Sequence, residues 1–183
     1  EELNLLKKRW PLAQLSMVDD CFGVSRPWLE GFAELYRRRV NLPFICFIRI
    51  DQLDEDKARL LHEAGCFMVL TAIESGDERI RREILKRPMS DDQIRTGAVL
   101  LKRHQIRFCT QNMMGVPSES LGDALKTLEL NLEIRPELAI TSLFAPFPKL
   151  ELTGHAIRIG CYSGDPWSLP PNMTSRSVLD LPD

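Results

Sequence analysis

Five short apolar runs separated by amphipathic helical stretches predict an α/β protein built of parallel β-α units, because parallel strands need a crossover to bring the chain back to the same edge of a sheet. Two features agree with this. The runs recur at intervals of about 30 residues, the length of one β-α-β unit. They are also mostly apolar up to their C-terminal ends, which are polar. Periodicity alone does not separate a doubly wound sheet from an open or closed barrel.

The 183 residues, 44% of them apolar, suffice for one substantial core and fall short of two independent domains. The first ten residues, EELNLLKKRW, have the pattern of the end of an amphipathic helix, and the chain is expected to be a fragment. Strands are predicted at 12–18, 44–50, 66–73, 106–113 and 138–145. Behind the first, Trp28, Phe32, Leu35 and Tyr36 follow a Ser25 cap; behind the second, Ala58, Leu61 and Ala64 follow an Asp54 cap and stop at Gly65. After the third, a helix over 77–86 is predicted with Ser75 and Glu78 as its capping box, then a second with Ile94, Ala98 and Leu101 behind Ser90 and Gln93. Leu121, Leu125, Leu128 and Leu132 continue the helical pattern up to Pro136. The tail 163–183 holds four prolines and little periodicity, which predicts a linker leaving a core at 1–162. Its Asn172, Met173 and Thr174 match a glycosylation pattern that has no weight without a secretory signal.

Charge and cysteine usage exclude several classes. The 24 basic and 26 acidic residues leave a formal net charge of -2, so no basic field draws in nucleic acid or anionic lipid. The segment Arg79, Arg81, Arg82, Lys86 and Arg87, interrupted by Glu83, reads as a solvated helix face. No apolar run nears the ~20 residues that cross a bilayer, and a soluble, cytoplasmic chain is expected. Cys21, Cys46, Cys66, Cys109 and Cys161 have no paired spacing, which excludes a zinc ribbon, a C-x-x-C redox pair and a disulfide scaffold. Cys46, Cys66 and Cys109 lie in apolar runs and are expected to be small buried hydrophobes. His62, His104 and His155 are too far apart for a local metal motif and receive no role. Phosphate-cradle, dinucleotide-turn, nucleophile-elbow and metalloprotease patterns are absent.

The polar strand ends are the candidate site. They are Asp19 and Asp20, Arg49 and Asp51, Glu74 and Ser75, and Gln111 and Asn112. In parallel α/β folds ligands gather at this edge, where loops converge and helix N-termini point inward. Each has a structural alternative: Asp19 and Asp20 as turn residues, Ser75 as a cap, Gly115 and Pro117 as a plain turn. Glu74 is harder to explain structurally, since it ends the apolar run CFMVLTAI, where a carboxylate is costly without a partner.

Five blocks in order, VDDCF, FIRIDQLDEDKARLLHEAGC, TAIESGDERIRREILKR, NMMGVPSES and APFPKLEL, resemble the radical S-adenosylmethionine superfamily, in its branch with a cobalamin-binding domain, from about Met17 to Gly160. The resemblance implies a partial (β/α) barrel of six units, of which five strands are expected here. It also implies a four-iron four-sulfur cluster that cleaves S-adenosylmethionine to a 5′-deoxyadenosyl radical. By position, Asp19 and Asp20 would lie beside the methionine amino group, Glu74 and Ser75 near the ribose and carboxylate, with Gln111, Asn112 and Gly115 ending the next strand. Phe144 to Leu150 would match the sixth strand and a loop whose backbone faces adenine. One departure is large: the C-x-x-x-C-x-x-C cluster motif is missing. Cluster ligands, and any bound cobalamin, are therefore expected outside this chain, on a missing first unit and a missing N-terminal domain in cis. No metal ligand and no catalytic residue is assigned, and the substrate, a small molecule, lipid or natural product, is not named by the sequence.

Three functions follow from these residues. The first is the S-adenosylmethionine-binding part of a radical enzyme, a cobalamin-dependent methyltransferase or a cyclase or rearrangement enzyme. The second is a cofactor-independent barrel enzyme using Asp20, Asp51 and Glu74 as acid and base. The third is a non-catalytic homologue that keeps the fold.

Overall fold

The computed structural model describes residues 2–167, 169 and 176–181, so Asn172, Met173 and Thr174 lie outside the described residues. Strands β1 (Leu15–Met17), β2 (Phe44–Phe47), β3 (Cys66–Glu74), β4 (Arg107–Met114) and β5 (Leu138–Leu143) form one sheet in the order β1-β2-β3-β4-β5. The strands are parallel, with Leu15 opposite Phe44 and Phe47 opposite Leu70 in the first two pairings. Helices α1 (Glu2–Arg9), α2 (Arg26–Arg39), α3 (Glu55–Ala64), α4 (Asp91–Arg103), α5 (Leu121–Ile134) and α6 (Glu151–Arg158) complete the chain. This is the α/β class expected, and the strand order is that of an open, partial barrel. No helix among the described residues is long and apolar enough to cross a membrane.

Several local expectations are met for the reason given. Asp54 Oδ1 accepts the Lys57 N–H at 2.8 Å, and Gly65 closes α3 in the left-handed conformation with φ of 97°. Ser25 caps α2 through the Trp28 N–H at 3.5 Å. Cys46, Cys66, Cys109 and Cys161 are all buried free thiols.

Four expectations are corrected. First, β2 stops at Phe47 because Ile50, 1% exposed, starts a 3-10 turn, Ile50–Gln52, and turns the chain out of the sheet. Second, the Ser75–Glu78 capping box does not form. The Ser75 hydroxyl accepts the Asp77 N–H at 3.2 Å, two residues on, and Asp77 Oδ1 takes the Ile80 N–H at 2.8 Å. Third, the basic segment is a solvated face at Arg79, Arg82 and Lys86 but not at Arg81, which is 0% exposed. Arg81 lies in a π-helical turn, Ile80–Ile84, closed by the Leu85 N–H to Ile80 C=O bond at 3.0 Å. The wider turn brings both Ile80 and Arg81 inward. Fourth, helix α6 escapes sequence patterning because it has eight residues, a glycine at 154 and no side-chain cap at Leu150.

Two compact units are present. One holds residues 2–72, 92–110 and 136–138; the other holds 73–91, 111–135 and the described residues from 139 onward. The first is built around an aromatic stack in which Phe32 lies 5.2 Å from Trp28 and 4.9 Å from Tyr36, and Tyr36 lies 5.2 Å from Phe44. The second has its core at Ile80, Val116, Phe144, Ala156, Tyr162 and Leu179, and it carries the C-terminal ends of β3, β4 and β5. Leu179 thus packs inward from the tail, and Asp180 N–H bonds Cys161 C=O at 2.8 Å.

In the second unit the backbone of Gly76 meets α5 directly: its N–H donates to Thr127 Oγ1 at 2.7 Å, and a Cβ there would overlap the Lys126 carbonyl. Gly31, by contrast, has open space around it on α2. Gly76→Ala is expected to destabilise by about 3 kcal/mol or more through overpacking, and Gly31→Ala to stabilise by about 0.5–1 kcal/mol. Urea melts of both variants test this; equal effects would show that the close approach at Gly76 is not the constraint described.

Candidate functional site

At the end of β3 the chain turns sharply, with Glu74 at φ of 70° and Ser75, Gly76 and Asp77 all buried behind it. The turn is held by Arg81. Its Nη1 donates to Ser75 C=O at 2.7 Å, its Nε to Met89 C=O at 3.0 Å, and its Nη2 pairs with Asp91. The Arg87 N–H in turn bonds Arg81 C=O at 2.7 Å, which sets the Arg87 guanidinium against the Glu74 carboxylate in an ion pair. Asp77 is fixed from the other side by Lys126 Nζ at 2.6 Å. Glu74, partly exposed, is therefore a strand-end carboxylate on a rigid frame, already matched with one cation.

At the end of β4 the residues divide by face. Asn112 is buried, donates to Ile140 C=O at 3.1 Å and accepts from Asn131 Nδ2 at 3.2 Å, so both ends of its amide are engaged in packing. Gln111 is half-buried on the alternate face. Gly115 takes φ of 71° and begins the turn into α5. Its N–H, at 2.6 Å, and that of Val116, at 3.1 Å, both point to Glu119 Oε2. Glu119 is 2% exposed, and its Oε1 has no hydrogen-bond partner. Burial pushes the Glu119 carboxyl above the usual carboxylate range, and Asp123 and Asp77 push in the same direction.

Asp19, Asp20 and Asp51 belong to the first unit. Asp19 and Asp20 are exposed after β1, while Asp51 is held by Arg49 through both oxygens at 3.1 and 2.7 Å. Of the three carboxylates once available for acid and base work, Asp51 and Glu74 are each ion-paired with an arginine.

A cleft of about 490 Å³ in the second unit has apolar walls from Leu85, Met113, Phe144 and Leu152, and Lys86, His155 and Arg158 at its edge. Its size suits a small-molecule ligand. None of the strand-end polar residues picked from sequence lines it. The sequence held two hints: Met113 ends an apolar strand, and Phe144 opens the proline-flanked loop. His155, set aside as a surface histidine, lies in this cleft with Nε2 3.1 Å from Ser118 Oγ.

A family model described as the radical SAM superfamily matches residues 2–130. An uncharacterized methyltransferase from Pyrococcus horikoshii is 20% identical over 158 residues, which are 86% of this chain and 34% of that protein. Among solved structures, the radical S-adenosylmethionine methyltransferase TsrM from Kitasatospora setae, with cobalamin and a [4Fe-4S] cluster bound, superposes with a TM-score of 0.66 at 19% identity, over 78% of this chain and 29% of that one. Coproporphyrinogen III oxidase HemN from Escherichia coli, a radical SAM enzyme, gives a TM-score of 0.66 at 13% identity, over 80% and 36%. The chain thus spans about a third of the length of these relatives.

The thiols do not fit a four-iron four-sulfur cluster. Cys46 and Cys66 are 3.8 Å apart, but both are buried, and a mutual hydrogen bond together with burial holds the Cys46 thiol neutral. Among the described residues no third metal-ligating side chain joins them. The strand-end carboxylate of Glu74 suits an ammonium, and the apolar cleft, which Glu74 does not line, suits a flat apolar ring.

The raised Glu119 pKa gives a stability test with a defined sign. A carboxyl that binds its proton more tightly when folded stabilises below the unfolded pKa and loses that contribution as pH rises through the folded pKa. Glu119→Gln keeps the acceptor for the Gly115 and Val116 N–H groups but cannot ionise. The stability difference between Glu119→Gln and the parent is expected to move in favour of the variant as pH rises from about 4 through neutrality, followed by melts at each pH. A flat difference would mean that the buried carboxyl is not protonated in the fold.

Proposed function

The chain belongs to the radical S-adenosylmethionine superfamily, and from that premise we propose that it is the S-adenosylmethionine-binding part of a radical methyltransferase that works with cobalamin. The observation that carries this proposal is the family match over residues 2–130 together with a sheet whose β3 and β4 ends present Glu74 and the Gly115 turn on braced backbone. The methyltransferase name of the Pyrococcus relative and the cobalamin-bound TsrM support the narrower part of it.

In such enzymes bound S-adenosylmethionine, reduced by a cluster, supplies a 5′-deoxyadenosyl radical. This chain's share is binding and exclusion of water. Glu74 accepts hydrogen bonds from ammonium or hydroxyl groups, with Arg87 at its side to meet a carboxylate. Gly115 makes the left-handed turn at the β4 end, with Leu143, Ser177 and Leu181 packed against its backbone. Leu85, Met113, Phe144 and Leu152 offer a dry wall to an aromatic base. The frame under Glu74 is preorganised by Arg81, so little ordering is left to be done on binding.

Titration calorimetry of the chain with S-adenosylmethionine tests the proposal. Glu74→Gln keeps the volume and loses a charged acceptor, so affinity is expected to fall by about 1.5–3 kcal/mol, or roughly ten- to a hundredfold. Ser75→Ala removes only the turn bond to Asp77 and is expected to lower the melting temperature while leaving affinity unchanged. An unaltered affinity in Glu74→Gln sinks the ligand role of this strand end.

A further inference from the structure

In the first unit a groove of about 510 Å³ runs between α1 and α2, and none of its lining residues belongs to the strand ends or to the α6 cleft. Trp28, Phe32 and Leu35 form its apolar wall, Gly31 lies among them, and Asn4 and Arg39 are its polar members. Gly31 has open space where a Cβ would stand. Trp28 and Leu35 are two helical turns apart, about 10.5 Å along the axis, so the missing side chain leaves a notch between two apolar flanks. A flat ring placed there touches both, since each contact takes about 3.5–4 Å.

The aromatic stack sets the character of the wall. Phe32 has both faces taken, by Trp28 at 5.2 Å and an interplanar angle of 13° and by Tyr36 at 4.9 Å and 27°. It therefore turns an edge to the groove, and ring edges carry the positive part of the aromatic quadrupole. Arg39 adds a full positive charge, and no acidic residue lines the groove. Among the described residues neither the Asn4 amide nor the Arg39 guanidinium has a hydrogen-bond or ion-pair partner, and both have N–H groups to give. The Lys7 ammonium, donating to Val40 C=O, stands at the same end.

Area decides between a protein partner and a small ligand. Trp28 at 51% and Leu35 at 47% expose roughly 200 Å² between them, far short of the ~800 Å² that each partner of a stable protein interface buries. The groove volume, by contrast, lies in the range of small-molecule sites. One guanidinium matches the single charge of a carboxylate and leaves a phosphate dianion half met.

We propose that this groove is a binding site for a planar aromatic carboxylate, a site distinct in its residues from the one proposed above and independent of it. The ring fills the notch at Gly31, with its electron-rich face toward the edge of Phe32. The carboxylate accepts two N–H bonds from Arg39 and one from Asn4 Nδ2. Arg39 starts about 12 Å beyond Gly31 along the axis, and a long side chain on a helix leans back toward the N-terminus, which brings the guanidinium to the end of the ring.

The probe is 2-naphthylacetate, added to the whole chain while the indole N–H resonance of Trp28 is followed, identified by its loss in Trp28→Phe. For a ligand of this size the expected Kd is about 1 mM. Gly31→Leu fills the notch with a better helix former, so its melting temperature is expected to hold or rise while affinity falls about tenfold. Arg39→Gln is expected to weaken the probe about tenfold, the worth of a hydrogen bond to a charged group, and 2-naphthylethanol, which has the ring without the charge, to bind the parent at that weaker level. A Trp28 resonance that stays put up to about 10 mM probe, ten times the expected Kd, overturns the proposal. So does an affinity little changed in Gly31→Leu or Arg39→Gln, or an alcohol that binds as well as the acid. Sedimentation equilibrium covers the other occupant: a parent chain that dimerises without taking up the probe, beside a monomeric Gly31→Leu, assigns the groove to a second copy and overturns the proposal too.

Discussion

One buried guanidinium organises the end of the sheet. Arg81 is 0% exposed, yet its charge is met by two partly exposed carboxylates, Asp91 and, at 3.9 Å, Glu78, and by two main-chain carbonyls, Ser75 and Met89. Taking a cation out of water is costly unless its donors are all engaged, and removing one partner from such a group costs about 3–5 kcal/mol. Arg81 therefore ties the first residue after β3 to the residues just before α4, and the whole excursion 75–91 closes on one side chain. Glu74 and Arg87 stand at the two feet of that closure, which is why their ion pair has a fixed place.

The β4 end is built on the same logic with the sign reversed. A turn that starts at a left-handed glycine leaves consecutive N–H groups pointing the same way. Here the chain supplies its own acceptor, Glu119, four residues after Gly115. A carboxyl placed there needs no solvent to finish the turn, and it sits beside Asp77 and Asp123, which favour its protonated form. Lys126 draws Asp77 and Asp123 together from α5, so the β3 and β4 turns share one charged seam within the second unit.

What was legible in the sequence follows from how local each determinant is. Caps and stops at Ser25, Asp54 and Gly65 depend on a few neighbouring residues and were readable. The parallel direction of the strands followed from the crossovers, whereas their order in the sheet did not follow from periodicity. The cap at the end of β3 was misplaced by two residues, because the left-handed Glu74 turns the Ser75 hydroxyl onto the Asp77 N–H and passes the capping role to Asp77. Arg81 was illegible, since a π turn shifts which residues face inward and charge composition then points the wrong way. Helix α5 shows the same limit. Its leucines at 121, 125, 128 and 132 face outward, while Thr127 and Asn131 face in because Gly76 N–H and Asn112 need them. Polar partners 19 and 51 residues away, together with buried Leu130 and Ile134, mark that inward face.

The pairing of Glu74 with Arg87 bears on how a ligand gains affinity at this edge. A free buried carboxylate would bind an ammonium strongly but would destabilise the fold without it. A carboxylate already paired has its desolvation offset in the resting chain, and a zwitterion bound as proposed above would exchange partners rather than add charge, its ammonium going to Glu74 and its carboxylate to Arg87. Net charge in the site is unchanged by the exchange, so the gain depends on geometry and on the apolar contact made elsewhere on the ligand. Rigidity of the frame then decides the outcome, because partners held in place by Arg81 lose little freedom on exchange, whereas the same two side chains on a mobile loop would lose much of theirs.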